Sequence, residues 1–228
     1  MVSTVDGVRN LRNSNGRRVL VTDLDNTLID SRERFKRSMA EALGHPSIAS
    51  APSVLVVKKL SKEQRDRFYD SFLSGKYMNL DIPVKGGVEV LSRLRASGLG
   101  IIYLTGRPHT RSGSMKTETL KTLSRFGFPT PNGREVVLFM KSKRSSPTNE
   151  FKRAVLVQLS KKRDLAIGLD DEMDDLRVMI ELVPLVIGVA LSSDIAREIS
   201  ARLKIPIARD WFQVESIISR SGLIPKTA

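Results

Sequence analysis

The stretch Arg18-Val19-Leu20-Val21-Thr22-Asp23-Leu24-Asp25-Asn26-Thr27 decides the fold. A short, apolar, β-branched run ends in two carboxylates spaced i and i+2, the pattern of a buried strand that delivers charge into a loop. Four further runs share its character: residues 100–105 (GIIYLT), 136–140 (VVLFM), 165–169 (LAIGL) and 185–190 (LVIGVA). None alternates apolar with polar residues, so each is expected to be covered on both faces. Helical spacings lie between them: Val88, Leu91 and Leu94 running to Gly98, Leu120 and Leu123 running to Gly127, and Val155 and Leu159 behind Thr148 as an N-cap. Strands alternating with helices predict an α/β fold, a doubly wound parallel sheet with right-handed crossovers.

One interval breaks that rhythm. Residues 24–99 separate the first two runs, too many for a single crossover helix, so an insertion is required. Residues 31–43 read as a helix with Phe35, Met39 and Leu43 on one face, followed by the breaker stretch GHPSIASAPS. A second helix is expected to start at Ser61, with a capping box to Gln64 and an apolar face of Phe68, Phe72 and Tyr69. The expected division is a core of residues 1–30 and 81–228 and a small helical cap of residues 31–80. Residues 1–17 read as a lead-in segment, and the part after Leu191 as a helix, a connecting segment over 205–211 and a closing helix.

Bulk composition narrows the chemistry. The chain has 228 residues, 40% hydrophobic and 28% charged, enough for one full core with a modest insertion. No apolar run approaches the roughly 20 residues that span a bilayer, and no leader-like apolar segment precedes the first strand. No membrane association is expected, and the expected location is cytoplasmic. Cysteine is absent, which removes disulfides, thiolate catalysis and cysteine-ligated zinc. His45 and His109 lack ligand-spaced partners, so any metal is held by oxygen and a hard ion such as Mg2+ is favoured.

The net charge of +13 is unevenly spread. Residues 111–163 hold thirteen Lys/Arg against three Asp/Glu, whereas residues 164–182 hold seven acids against Arg177 alone. A basic region beside an acidic cluster suits a site that takes metal and phosphate together, although most of these lysines are expected to be solvated surface.

The polar motifs fall at one edge of the expected sheet. Asp23 and Asp25 end the first strand; Thr105, Gly106 and Arg107 end the second; Asp170 and Asp171 end the fourth; and Lys152 lies on the helix before that strand. Cleaving a phosphate ester needs a nucleophile, a proton donor for the leaving oxygen and positive charge around the phosphoryl group. Two carboxylates at i and i+2 can divide the first two tasks, a Thr hydroxyl and a Lys ammonium can hold phosphoryl oxygens, and further aspartates can complete the oxygen shell of Mg2+.

These residues resemble the haloacid dehalogenase superfamily of phosphatases. VLVTDLDNT resembles its first motif, IIYLTGRP its second, Lys152 its third and AIGLDDEMDD its fourth, with the helical insertion between the first two motifs. The resemblance covers residues 18–190. It implies a HAD-like, Rossmannoid core and an Mg2+-dependent phosphohydrolase working through an aspartyl phosphate. It implies Asp23 as nucleophile and metal ligand, and Asp25 as proton donor and then base, with its backbone carbonyl on the metal. It further implies Thr105 and Lys152 on the phosphate, Asp170 on the metal, and Asp171 or Asp175 in support. Arg107 resembles an arginine of the phosphatase domain of polynucleotide kinase-phosphatases and is expected near the phosphate together with Gly106.

Alternatives remain at this level. Lys141 or Lys143 could replace Lys152, which is favoured because a helix can hold it in place. The pairs Asp170/Asp174 and Asp171/Asp175 both fit an i, i+4 register, with Asp170 and Asp171 taken as the core. His109 is expected on the surface and Trp211 in the core. The expected partner is a phosphorylated small molecule or nucleotide. A nucleic-acid end would suit the basic stretch, but no aromatic-interleaved basic motif supports it. Transfer to an acceptor other than water, and a binding role on a retired catalytic fold, are the other readings. Arg32, Arg34, Lys36, Arg37, Lys58 and Lys59 in the cap suggest an anionic partner.

Overall fold

A computed structural model describes residues 2–3, 18–45, 54–109, 114–142 and 147–223. The five apolar runs form strands β2 (Arg18–Thr22), β5 (Gly100–Pro108), β6 (Val136–Lys141), β7 (Asp164–Asp170) and β8 (Leu185–Val189). Two more pairings complete the sheet: β1 (Val2–Ser3) beside β6, and β9 (Ile207–Ala208) beside β8. The order is β1-β6-β5-β2-β7-β8-β9, and every pairing is parallel. The start of the expected lead-in therefore joins the sheet. Residues 4–17 lie outside the described residues.

Both faces are covered, as the unbroken apolar runs require. On one face Leu20, Ile101, Tyr103 and Leu138 pack with residues of α4 (Gly87–Ala96), α5 (Ser114–Phe126) and α9 (Trp211–Ser221). On the other, Val19, Val21, Ile102 and Leu104 pack with α6 (Thr148–Ser160), α7 (Met173–Ile180) and α8 (Ser193–Arg202). Alternate residues of β2, β5 and β6 thus feed two separate cores. Thr148 is the first helical residue of α6 rather than its N-cap, a position that Pro147 occupies.

The insertion leaves and returns through a two-stranded antiparallel ribbon, β3 (Ile29–Asp30) and β4 (Ile82–Pro83). It contains α1 (Arg32–Leu43), α2 (Val54–Lys58) and α3 (Lys62–Phe72). The capping box of Ser61 with Gln64 is present, and Gly44 ends α1 in the left-handed conformation. Most of the breaker stretch, residues 46–53, lies outside the described residues. Phe35, Met39, Ala42, Val57 and Phe68 make a third, smaller core, separate from the other two. No described helix is long and apolar enough to cross a membrane.

Candidate active site

Strand β2 lies where the sheet order turns, with β5 on one side and β7 on the other. Ligands in open parallel sheets collect beyond the strand ends at such a point. Asp23 follows the strand directly, its N–H donating to the Leu169 carbonyl at 3.0 Å. The chain then folds back: the Leu24 carbonyl accepts from the N–H of Leu28 at 2.9 Å and of Ile29 at 2.8 Å, over the wholly buried Leu24, Leu28 and Ile29 side chains. Asn26 takes a positive φ of 59°, alone among described non-glycine residues, and its Oδ1 accepts from the Ser31 N–H and hydroxyl at 3.3 and 3.1 Å. Asparagine tolerates this conformation because its short polar side chain bonds locally. The turn sends Asp23 and Asp25 to different surroundings.

Asp23 enters a carboxylate cluster. Oxygens of Asp23, Asp170 and Asp171 lie within 4.8 Å of one another. Lys152 Nζ reaches in from α6, donating to Asp23 Oδ1 at 2.9 Å and Asp170 Oδ2 at 2.6 Å, and it lies 2.8 Å from Asp175 Oδ2. Asp170 Oδ1 accepts the N–H groups of Asp171 and Glu172 at 3.0 and 3.1 Å, and Asp171 Oδ1 accepts the Thr27 hydroxyl at 3.2 Å. Burial opposes the charge on Lys152, but Asp170, Asp175 and Asp23 outweigh it and hold the ammonium well above its ordinary pKa. One ammonium pairs with three carboxylates and Asp171 lies beside them, so acidic groups outnumber the cation. Burial, with the surrounding carboxylates, pushes Asp23 up to about 6 against the opposing pull of Lys152.

That surplus is the observation that fits a metal. An all-oxygen, buried donor set with excess negative charge suits a hard divalent cation such as Mg2+. Asp23, Asp170 and Asp171 are the side chains placed to hold it.

Asp25 faces two guanidinium groups. Arg107 holds it bidentately, Nε to Oδ2 at 2.9 Å and Nη2 to Oδ1 at 2.7 Å, and Arg34 Nη2 donates to Oδ1. Burial would raise the Asp25 pKa, but Arg107 and Arg34 hold it far below the ordinary carboxylate range. Asp81 closes the group, 3.0 Å from Arg34 Nε and 3.5 Å from Arg107 Nη2. Its carboxylate oxygens accept no well-directed hydrogen bond, and burial pushes its pKa up to about 6. Two arginines and two aspartates thus form a charge-balanced group, buried except for Asp25, which also faces the cavity.

The remaining expected residues sit around the same cavity, of about 990 Å³. Thr105 is buried, its Oγ1 accepting the Arg107 N–H at 3.3 Å. Gly106 is needed for close approach, since a β-carbon there would come within 2.9 Å of Thr148 Cγ2. Lys141 also lines the cavity, donating to Thr148 Oγ1 at 3.2 Å, and Lys143 lies outside the described residues. Asp174 turns outward to Arg177 at 3.2 Å, whereas Asp175 turns inward to Lys152.

Two placements differ from the sequence reading. Arg107 commits its guanidinium to Asp25, Asp81 and the Thr119 hydroxyl, the last at 3.1 Å. Arg34 is completely buried and paired with Asp25 and Asp81 instead of offering charge to an external anion. Within the cap, Arg32 is likewise occupied by Asp30 and Lys36 by Glu33. Most cations of the 111–163 stretch that are described are exposed or half-exposed, as expected, with Lys141, Lys152 and Arg107 beside it pointing inward. Asp81 was not singled out from sequence, Arg34 was read only as one of several cap cations, and Thr27 only as part of the DLDNT motif. Trp211 is core, and its Nε1–H donates to the Thr27 carbonyl at 2.8 Å, which fixes the loop after Asp25.

No family model matches the sequence, and no curated protein matches it. Solved structures do. A haloacid dehalogenase-like family hydrolase from Streptococcus pneumoniae superposes with a TM-score of 0.64 at 17% identity, over 88% of this chain and 97% of that one. A predicted phosphatase from Clostridium acetobutylicum gives 0.66 at 17% identity, over 90% and 99%. A predicted phosphoglycolate phosphatase from Haemophilus somnus gives 0.61 at 18% identity, over 90% and 99%. The chain has the haloacid dehalogenase-like fold.

Proposed function

We propose that the chain is a Mg2+-dependent phosphomonoesterase in which Asp23 is the nucleophile. The observation that carries this reading is the division of the DLDNT aspartates: Asp23 beside a surplus of carboxylates and Lys152, Asp25 beside two guanidinium groups. An Asp23 oxygen attacks phosphorus as the bond to the leaving oxygen breaks, and Asp25 delivers a proton to that oxygen, a role that requires the bound phosphate's negative charge to lift the Asp25 pKa from the low value Arg107 and Arg34 impose on the free site. Water then attacks the aspartyl phosphate, Asp25 takes its proton, and inorganic phosphate leaves with Asp23 restored. Thr105, the Gly106 backbone and Lys152 hold the phosphoryl oxygens, and Arg107 orients Asp25. Bound at Asp23, Asp170, Asp171 and the Asp25 carbonyl, Mg2+ would offset the repulsion between nucleophile and phosphate.

The test is turnover of a generic aryl phosphate, expected with Mg2+ and lost on chelation. Rates that ignore chelation would remove the metal from the account. A thermal scan tests the same site without turnover. Asp23 titrates near 4 when unfolded and near 6 when folded, so its favourable contribution is complete below the unfolded value and is lost as pH rises through about 6. Cation binding therefore counts most above that point. At pH 8, Mg2+ at a hundredfold over its Kd should raise Tm by about 5–10 °C. At pH 5 the rise should be much smaller, and an equal rise at both would contradict the carboxylate site.

A further inference from the structure

We infer that this site takes phosphomonoesters whose leaving alcohol carries an aromatic ring system, in preference to small polyol or hydroxy-acid phosphates. The inference rests on the phosphatase reading and adds the class of leaving group.

The cavity above Asp23 is far larger than a phosphate group needs, and the size is typical of pockets that enclose a whole small ligand. Its walls are chemically divided. On the core side lie Asp23, Asp25, Thr105, Lys141 and Lys152, which are suited to phosphoryl chemistry. On the cap side the lining is largely aromatic and aliphatic: Phe35, Val57, Phe68, Tyr69, Phe72 and Leu73. Phe35 and Phe68 are buried beneath, and Tyr69, Phe72 and Leu73 are half-buried and present the accessible surface. A hydroxylated leaving group would lose water against this wall and regain few hydrogen bonds. An aromatic group would lose little and bury apolar area.

The wall is also fixed in place over the catalytic residues. Phe68 stacks on Phe72 at 5.3 Å with an interplanar angle of 13°, and meets Tyr69 edge-on at 5.2 Å and Phe35 edge-on at 5.1 Å. Arg34 joins this wall to the catalytic carboxylate: its guanidinium carbon sits 4.3 Å from the Phe72 ring centroid, Nη1 donates to the Phe72 carbonyl at 3.5 Å, and Nη2 donates to Asp25. With Asp81 at the cap's return strand completing the buried ion group, the aromatic wall is seated on the core through Asp25. Lys58, Arg65 and Asp66 stand on the cap side of the same cavity, where the two cations can donate hydrogen bonds to a polar substituent on the ring.

Two primary-alcohol esters of similar leaving ability separate ring recognition from intrinsic reactivity: naphthylmethyl phosphate and ethyl phosphate. With the full chain and Mg2+, kcat/KM should favour the naphthylmethyl ester by roughly 10–100-fold, mostly through KM. In Tyr69→Ser and Leu73→Asn variants the ratio of the two values should fall toward one. Calorimetry with the matching non-hydrolysable phosphonates provides an arm that needs no turnover, with the naphthylmethyl phosphonate binding more tightly by a similar factor. Equal kcat/KM values, or equal phosphonate affinities, overturn the inference and leave the phosphatase reading intact. Selective phosphonate binding with no turnover of either ester supports the aromatic site and removes the hydrolytic reading.

Discussion

The Asp23→Asn variant is expected to lose turnover by at least about 10⁴-fold while unfolding at or above the parent's Tm at pH 7. A carboxamide of the same shape cannot attack phosphorus to form an acyl phosphate, so the reaction loses its first step. Stability should move the other way. Asp23 is buried in a cluster where one ammonium pairs with three carboxylates and Asp171 lies beside them, and its pKa is pushed up to about 6 by that burial and crowding. A carboxylate held ionised at pH 7 under those conditions costs stability, and removing its charge returns something on the order of 1 kcal/mol. Circular dichroism melts and an aryl phosphate assay on the same preparation check both halves. Retained turnover would exclude Asp23 as nucleophile, and a large fall in Tm would exclude the charge surplus.

Lys152→Met should damage both properties together. Lys152 Nζ is the only cation described in contact with Asp23, Asp170 and Asp175. Its removal leaves those carboxylates buried and unpaired, and losing one partner of such a group costs roughly 3–5 kcal/mol. Turnover should fall at least about 100-fold, because the nucleophile loses its orienting partner and the phosphoryl oxygens lose an ammonium. Added Mg2+ should recover part of the stability but not the turnover. A stable, active variant would transfer the phosphate-binding role to Lys141, the other lysine described on the core side of the cavity.

How much of this was readable from sequence depends on how local each feature is. The five central strands were legible because both their faces are buried, which writes an unbroken apolar run into the chain. β1 and β9 have two residues each, too short for any periodicity to register, and both are fixed by pairing with β6 and β8. The convergence of Asp23, Thr105 and Asp170 followed from strand ends alone, since parallel strands place their carboxyl ends on one edge, and Lys152 joins them from α6. The roles within the acidic run did not. Helical register permits both Asp174 and Asp175, and only the position of Lys152 on α6 turns Asp175 inward. Arg34 and Asp81 were out of reach for a similar reason. Arg34 is one of six charged residues within 30–37 and Asp81 a single acid before the return strand, and their meeting with Asp25 and Arg107 depends on how α1 and the return strand sit against the core. An acid just before the return strand, and an arginine within the first turn of the cap, are the only local traces of that group.

The central claim is that phosphate passes through Asp23. It is tested most directly by mixing the protein with a radiolabelled phosphate ester and Mg2+, quenching in acid to preserve acyl phosphates, and mapping the label by peptide. The expected result is a base-labile label on the peptide containing Asp23, absent from Asp23→Asn. Rapid turnover with no protein-bound phosphate, or label on any other residue, would contradict it.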